Sequence, residues 1–345
     1  MLSHKVRGAL FGLSAAALFG ASAPVAKTLL GAINPVLLAG LLYLGAAAAL
    51  WFYRVVGPAS KEAKLKRTDV PRLAGVVLAG GLLGPVMMLF GLERVTGVTG
   101  ALLLNLEAPL TLLLAVAFFG EHLGRYGTLA AVFILGGAVF LKLEPGRLGA
   151  DTVGVLLLAG ASACWALDNN LTQRLSLKDP FAIVRVKTLA AGTVNLVLGL
   201  VVSNGKVPAT GSVAAALVLG ALSYGLSVVL DAYALRLLGA AREAAYFATA
   251  PFVGALGAVA LLGDRLHASD AAAMGAMAIG VALLLREKHD HRHVHGRIEH
   301  EHMHEHDAHH QHGHAPDLRH SHAHLHEELD HAHPHLPDAH HRHEH

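Results

Sequence analysis

The chain has 345 residues, of which 54% are hydrophobic and only 15% charged, with a mean hydropathy of +0.49. A soluble domain carries about 25% charged residues, so this composition excludes a water-soluble globular protein and points to the membrane. The net charge of +2 is too small to argue for a nucleic-acid partner, and the one cysteine, Cys164, excludes an internal disulfide and a cysteine-built metal site.

Histidine divides the chain. Of 26 histidines, all but His4, His122 and His267 lie after residue 288. An apolar body therefore runs to about Arg286 and a histidine-rich tail follows it, at 287–345.

A spanning helix needs about 20 mainly apolar residues. Ten segments of the body meet or approach this: 8–30, 34–53, 72–92, 96–119, 126–143, 153–173, 181–202, 213–235, 241–262 and 270–285. The expected fold class is an all-α integral membrane protein with ten transmembrane helices. The first segment follows Lys5 and Arg7 and reaches Ala21-Ser22-Ala23, which has the look of a signal peptide with a small-residue cleavage site. Pro24 would sit directly after the cut, and the segment has a counterpart near 160–175, so a retained helix is expected. With the N-terminus in the cytoplasm, 15 Lys and Arg fall on the inner side and 5 on the outer, and the loop 54–72 supplies most of the bias. Both termini are then expected in the cytoplasm.

The body is a duplication. Adding 142 carries Gly91-Leu92-Glu93-Arg94 onto Tyr233-Ala234-Leu235-Arg236, Gly97 onto Gly239 and Pro109 onto Pro251. One inserted residue then brings Gly120-Glu121 onto Gly263-Asp264. The two units, 8–143 and 150–286, each hold five helices. An odd number makes the second copy enter the membrane from the opposite side. Inverted repeats of this kind are built around a solute site near the midplane of secondary transporters.

The residues also resemble a known family. Ala17-Leu18-Phe19-Gly20 with Pro24 and Lys27, Asn34-Pro35, Leu92-Glu93-Arg94, Gly97, Leu106-Glu107-Ala108-Pro109 and Gly120-Glu121 carry the likeness in the first copy. Trp165, Asp179-Pro180, Arg236, Pro251 and Gly263-Asp264 carry it in the second. Their order and spacing over residues 8–286 resemble the drug/metabolite transporter superfamily, in its ten-helix group with two EamA domains. The resemblance implies a ten-helix bundle, a central cavity and alternating access, and leaves the substrate open. In one respect the chain departs from the pattern: the arginine that such proteins often carry about eight residues after the proline opening helix 2 is here Tyr43, and in the second copy Thr188.

Ionisable groups inside a bilayer cost at least about 2.5–3.5 kcal/mol each and are usually turned inward. They supply the candidate transport residues. Glu107 lies mid-helix beside Asn105 and Pro109, and is read either as a proton or cation carrier or as a structural contact to a neighbouring helix. Asp168, Asn169 and Asn170 are three consecutive polar residues deep in helix 6, so at least one must face a cavity or a helix partner. Lys187 or Arg185 is expected to pair with Asp168 or Asp231, and Lys27 to reach the cavity or snorkel to the interface. Glu121 and Asp264 are expected to serve as caps or loop contacts, and Met87 and Met88 to pack.

The tail is a second duplication. Adding 31 carries His289, His291, His293, His295, His300, His302, His304, His309, His310, His312 and His314 onto His320, His322, His324, His326, His331, His333, His335, His340, His341, His343 and His345. A stretch so poor in apolar residues is expected to be disordered without a ligand. Neutral imidazole favours Zn, Ni, Co and Cu, so all 22 are candidate metal ligands. The body itself requires no cofactor.

Two readings follow from the sequence. One is a secondary transporter, in the exporting direction, of a small organic solute, with a metal-binding cytoplasmic tail. The other is a transition-metal efflux permease fed by that tail. Its partners are then the lipid bilayer, a small solute and metal ions, with homodimerisation left open. No nucleotide loop, nucleophile elbow or zinc-protease motif suggests an enzyme.

Overall fold

Among the described residues, seven helices are long and apolar enough to cross a membrane: Val6–Leu29, Pro35–Val56, Arg67–Arg94, Gly97–Phe118, Thr152–Gln173, Pro180–Val202 and Thr210–Leu235. Three shorter apolar helices, Arg125–Phe140, Ala250–Leu262 and Ala268–Leu284, join them. This is a computed structural model, and it describes residues 4–57, 62–119, 124–141, 151–175, 178–238, 246–286, 290–295, 298–304, 320–326 and 329–334. Glu121 lies outside them. The body is all-α and multi-pass. Phe52, Val55, Phe118 and Val132 are among many large apolar side chains that stay exposed on its outside, as a lipid-facing surface requires.

Prolines interrupt the long helices at the places that matter. Pro24 has no N–H to give the Gly20 carbonyl, and the first helix breaks at Ala21 into His4–Gly20 and Ser22–Leu29. Pro109 likewise withholds a donor from Asn105, and the chain tightens into a 3₁₀ turn at Leu104–Leu106 between Gly97–Leu103 and Glu107–Phe119. Pro251 follows a turn at 248–249, which separates a helical pair at 246–247 from Ala250–Leu262. The fourth spans of the two sequence copies are thus both broken just before the corresponding proline.

A second pair of irregularities is a widened, π-helical turn in each copy, at Val77–Leu83 and Ala221–Leu226. At the offset of 142 the latter falls on residues 79–84. Pro85 leaves the Gly81 carbonyl without its helical donor, and Asn195 Nδ2 from the neighbouring helix takes that place at 3.3 Å. The Gly80 carbonyl accepts from Tyr43 Oη at 2.7 Å and from Trp165 Nε1 at 3.2 Å.

The core between these helices is built of Leu and Ala with close backbone approaches. A Cβ on Gly20 would overlap the Ala250 carbonyl, which fixes the first helix against the ninth segment. Polar contacts close the ends. Asp179 caps its helix through Ala182 N at 3.1 Å, and Asp151 caps Thr152–Gln173 through Val153 N at 2.9 Å. The Arg94 guanidinium, 2.6 Å from Asp151, holds that carboxyl below its usual range.

The tail differs from expectation. Instead of disorder, its described residues form strands β1 (Asp290–His295), β2 (Ile298–His304), β3 (His320–His326) and β4 (Leu329–Pro334). β1 pairs with β4 and β2 with β3, both antiparallel. The physical reason lies in the same repeat: His-x-His alternation has the period of a strand, and duplication supplies a partner.

Candidate functional site

The breaks before Pro109 and Pro251 frame a cavity of about 490 Å³, within the range of small-molecule sites. Phe19, Gly20 and Ala23 form one wall, and Phe247, Ala248, Ala250 and Pro251 another. Asn105, Glu107 and Thr111 come from the fourth span, and Trp165 and Asn169 from Thr152–Gln173. Asp231 closes the polar side. The Phe19 and Phe247 rings meet at a tilt, with centroids 5.3 Å apart.

Glu107 is held rather than loose. Its Oε1 accepts from Asn169 Nδ2 at 2.7 Å, and Asn169 also reaches Thr111 Oγ1 at 3.4 Å. Thr111 lies one turn after Glu107 and donates back to its carbonyl at 2.8 Å. Asn105 Nδ2 points to Met277 Sδ at 3.6 Å, a weak acceptor that leaves its amide oxygen available to a ligand.

Behind this cavity sits an ion pair. Lys187 Nζ lies 2.7 Å from Asp168 Oδ2, and Thr172 Oγ1 donates to Asp168 Oδ1 at 3.2 Å. Asp168 is only 4% exposed. Gly80 makes room for it, since a Cβ there would collide with the carboxylate. Tyr43, where the resemblance leads one to expect arginine, is spent on the Gly80 carbonyl. Neither of these positions puts a cation into the cavity, and no Lys, Arg or His lines it among the described residues.

The structure therefore sorts the expected residues. Glu107, Asn105, Asn169 and Asp231 share the cavity. Asp168 and Lys187 neutralise one another. Asn170 is a buried crosslink, donating to Thr111 O at 3.1 Å and Ala166 O at 2.8 Å. Arg185 pairs with Asp179 at 3.5 Å, near the start of its own helix, instead of with Asp168 or Asp231. Lys27 is not among the residues that line the cavity: it donates to the Leu92 carbonyl and, at 2.7 Å, to the Val95 carbonyl, tying off the end of Gly84–Arg94. Asp264 caps Gly97–Leu103 of the first copy, accepting from Val98 N at 3.0 Å. Sequence reasoning missed the cavity roles of Phe19, Thr111 and Phe247. The signals were present: Thr111 is four residues after Glu107, and Phe247 four before Pro251. Of the tail histidines, His291, His293, His295, His300, His302 and His304 lie in β1 and β2, and His320, His322, His324, His326, His331 and His333 in β3 and β4. His289, His309, His310, His312, His314, His335, His340, His341, His343 and His345 lie outside the described residues.

Comparison with known proteins settles the class. Residues 6–143 and 152–286 each match the model of the EamA-like transporter family. The chain belongs to that family. It is a multi-pass membrane transporter of the drug/metabolite type, not an enzyme. An uncharacterized transporter of Methanothermobacter thermautotrophicus is 29% identical over 289 residues, which cover 79% of this chain and 84% of that one. An uncharacterized protein of Pseudomonas aeruginosa is 35% identical over 188 residues, covering 54% of this chain and 64% of the other. Among solved structures, one crystal structure is similar with a TM-score of 0.60 at 19% identity, over 80% of this chain and 96% of its own.

Proposed function

We propose that this EamA-family protein exports an amphipathic organic cation across the cell membrane by alternating access. The observation that carries this is the make-up of the cavity: two acids, Glu107 and Asp231, three aromatic rings, Phe19, Trp165 and Phe247, and no basic residue among the described lining. Aromatic faces attract cations, and acids in a medium of low polarity do so more strongly than in water. Asn105, Asn169 and Thr111 add orienting hydrogen bonds. Helices broken at the site supply free backbone groups there, as in other transporters built from repeats. In this reading the two copies are inverted repeats, ten crossings carry the chain, and both termini face the cytoplasm; labelling of a cysteine introduced at Ser60 in a Cys164→Ser protein, from the cytoplasmic side alone, checks that orientation.

Glu107 would carry either a proton or the substrate, which is the condition for exchange of one against the other. Glu107→Gln keeps the acceptor for Asn169 and removes the charge. In proteoliposomes holding tetraphenylphosphonium, an imposed proton gradient should drive its uphill movement by the native protein. Glu107→Gln should abolish that uphill movement. Unchanged dependence on the gradient in the variant contradicts the assignment.

A second reading, efflux of Ni, Co or Zn, rests on the histidine-rich tail. Among the described residues of the helical body no group of three His, Cys, Asp or Glu is placed to hold a metal. Lower nickel accumulation in cells expressing the protein, lost on Glu107→Gln, would move this reading to first place.

A further inference from the structure

The tail carries a feature that goes beyond the transport reading and stands apart from it. Both strand ladders keep one register. Continuing the β1–β4 pairing inward arrives at the β2–β3 pairing without a slip. In that register histidine falls opposite histidine. His291 faces His333 and His293 faces His331 in the outer ladder. His300 faces His324, His302 faces His322 and His304 faces His320 in the inner one.

We infer that the two tail repeats form transition-metal sites between them, each built from cross-strand histidine pairs contributed by both copies. Residues two apart on a strand share a face, and residues directly opposite on an antiparallel partner share it too. His291, His293, His331 and His333 thus form a two-by-two array on one face of the outer ladder. The inner ladder presents a two-by-three array. Its histidines are even-numbered where those of the outer ladder are odd-numbered, so each ladder carries its own array. Neighbours in such arrays are about 5 Å apart across the strands and about 7 Å apart along them. Histidines two apart on a strand, joined by a cross-strand pair, give the four neutral nitrogens that zinc takes in tetrahedral geometry, and nickel and copper accept the same donors. Glu299 and Glu301 in β2 and Asp330 in β4 supply carboxylates nearby in the sequence. The duplication gains a purpose: one copy alone offers only half of each array.

Register, and not histidine content, is what the test must isolate. The full-length protein, purified in detergent, is titrated with Zn²⁺ and with Ni²⁺ by calorimetry. One variant replaces His322, His324, His331 and His333 by Asn. A second replaces His340, His341, His343 and His345, which lie outside the two described ladders. The native chain should bind at least two ions tightly. The first variant should bind them at least about tenfold more weakly, since removing even groups that only orient metal ligands costs that much. The second should keep both affinity and stoichiometry. Equal losses in the two variants, or no loss in the first, overturn the inference. Neither outcome bears on the organic cation, because no transport substrate enters the measurement.

Discussion

Asp168 and Lys187 show how two charges can sit together in a bilayer. Their separation of 2.7 Å and the burial of Asp168 make each the other's neutralising partner. Removing one member of such a pair costs about 3–5 kcal/mol, because the other is left charged and buried. Lys187→Met should therefore lower the thermal midpoint of the detergent-solubilised protein sharply. Adding Asp168→Leu should restore most of the loss. A Lys187→Met protein as stable as the native one would contradict the pairing. The sequence named both residues but left the partner of Lys187 open, because Arg185 lies two residues away and either could reach an acid. The choice is made by the helix start: Asp179 caps Pro180–Val202 and draws Arg185 to itself. Lys27 was left open between the cavity and the interface for a related reason. Its apolar neighbours suggest a free charge in the membrane, whereas the chain ends a helix beside it and offers two carbonyls.

At the scale of the element, the lesson is in the third span. The π turn at Val77–Leu83 is invisible in hydropathy, since glycine pairs such as Gly80-Gly81 read as packing residues. What the sequence does contain is Pro85, and the structure shows its consequence four residues earlier, where Asn195 satisfies the Gly81 carbonyl. Asn195→Leu should cost about 1–3 kcal/mol, the penalty for an unsatisfied buried acceptor. In the Pro85→Ala background, where the backbone can supply its own donor, the same change should cost markedly less. A double-mutant cycle on thermal stability reads this coupling; strict additivity would contradict it. By contrast, the break before Pro109 was legible, because a proline beside a buried acid has a direct local effect. Pro251 was found through the repeat, as the counterpart of Pro109. Ten segments were also legible, and the structure places helix in each, but only seven reach spanning length among the described residues. The turn before Pro251 shortens one of the other three. The strands of the tail were missed because lack of apolar residues was weighed above strand-like alternation.

For the whole molecule, the duplication explains why irregular backbone recurs in matched places. Two broken fourth spans meet at one cavity, and two π turns lie in the third spans at nearly the same offset. π turns often mark functional positions, and here they are the segments against which the second and seventh helices pack. What the cavity holds is then decided by charge. Among the described residues that line it, Glu107 and Asp231 are the ionisable ones, and in the proposed reading they set its sign. The most direct measurement compares two probes of one shape and opposite charge, tetraphenylphosphonium and tetraphenylborate, by quenching of Trp165 fluorescence in a Trp51→Phe protein. The cation should quench saturably, and Glu107→Gln should weaken it by at least about tenfold, or 1.4 kcal/mol; the anion should not saturate. Equal saturable binding of both ions, or cation binding untouched by Glu107→Gln, would contradict a cation-selective cavity.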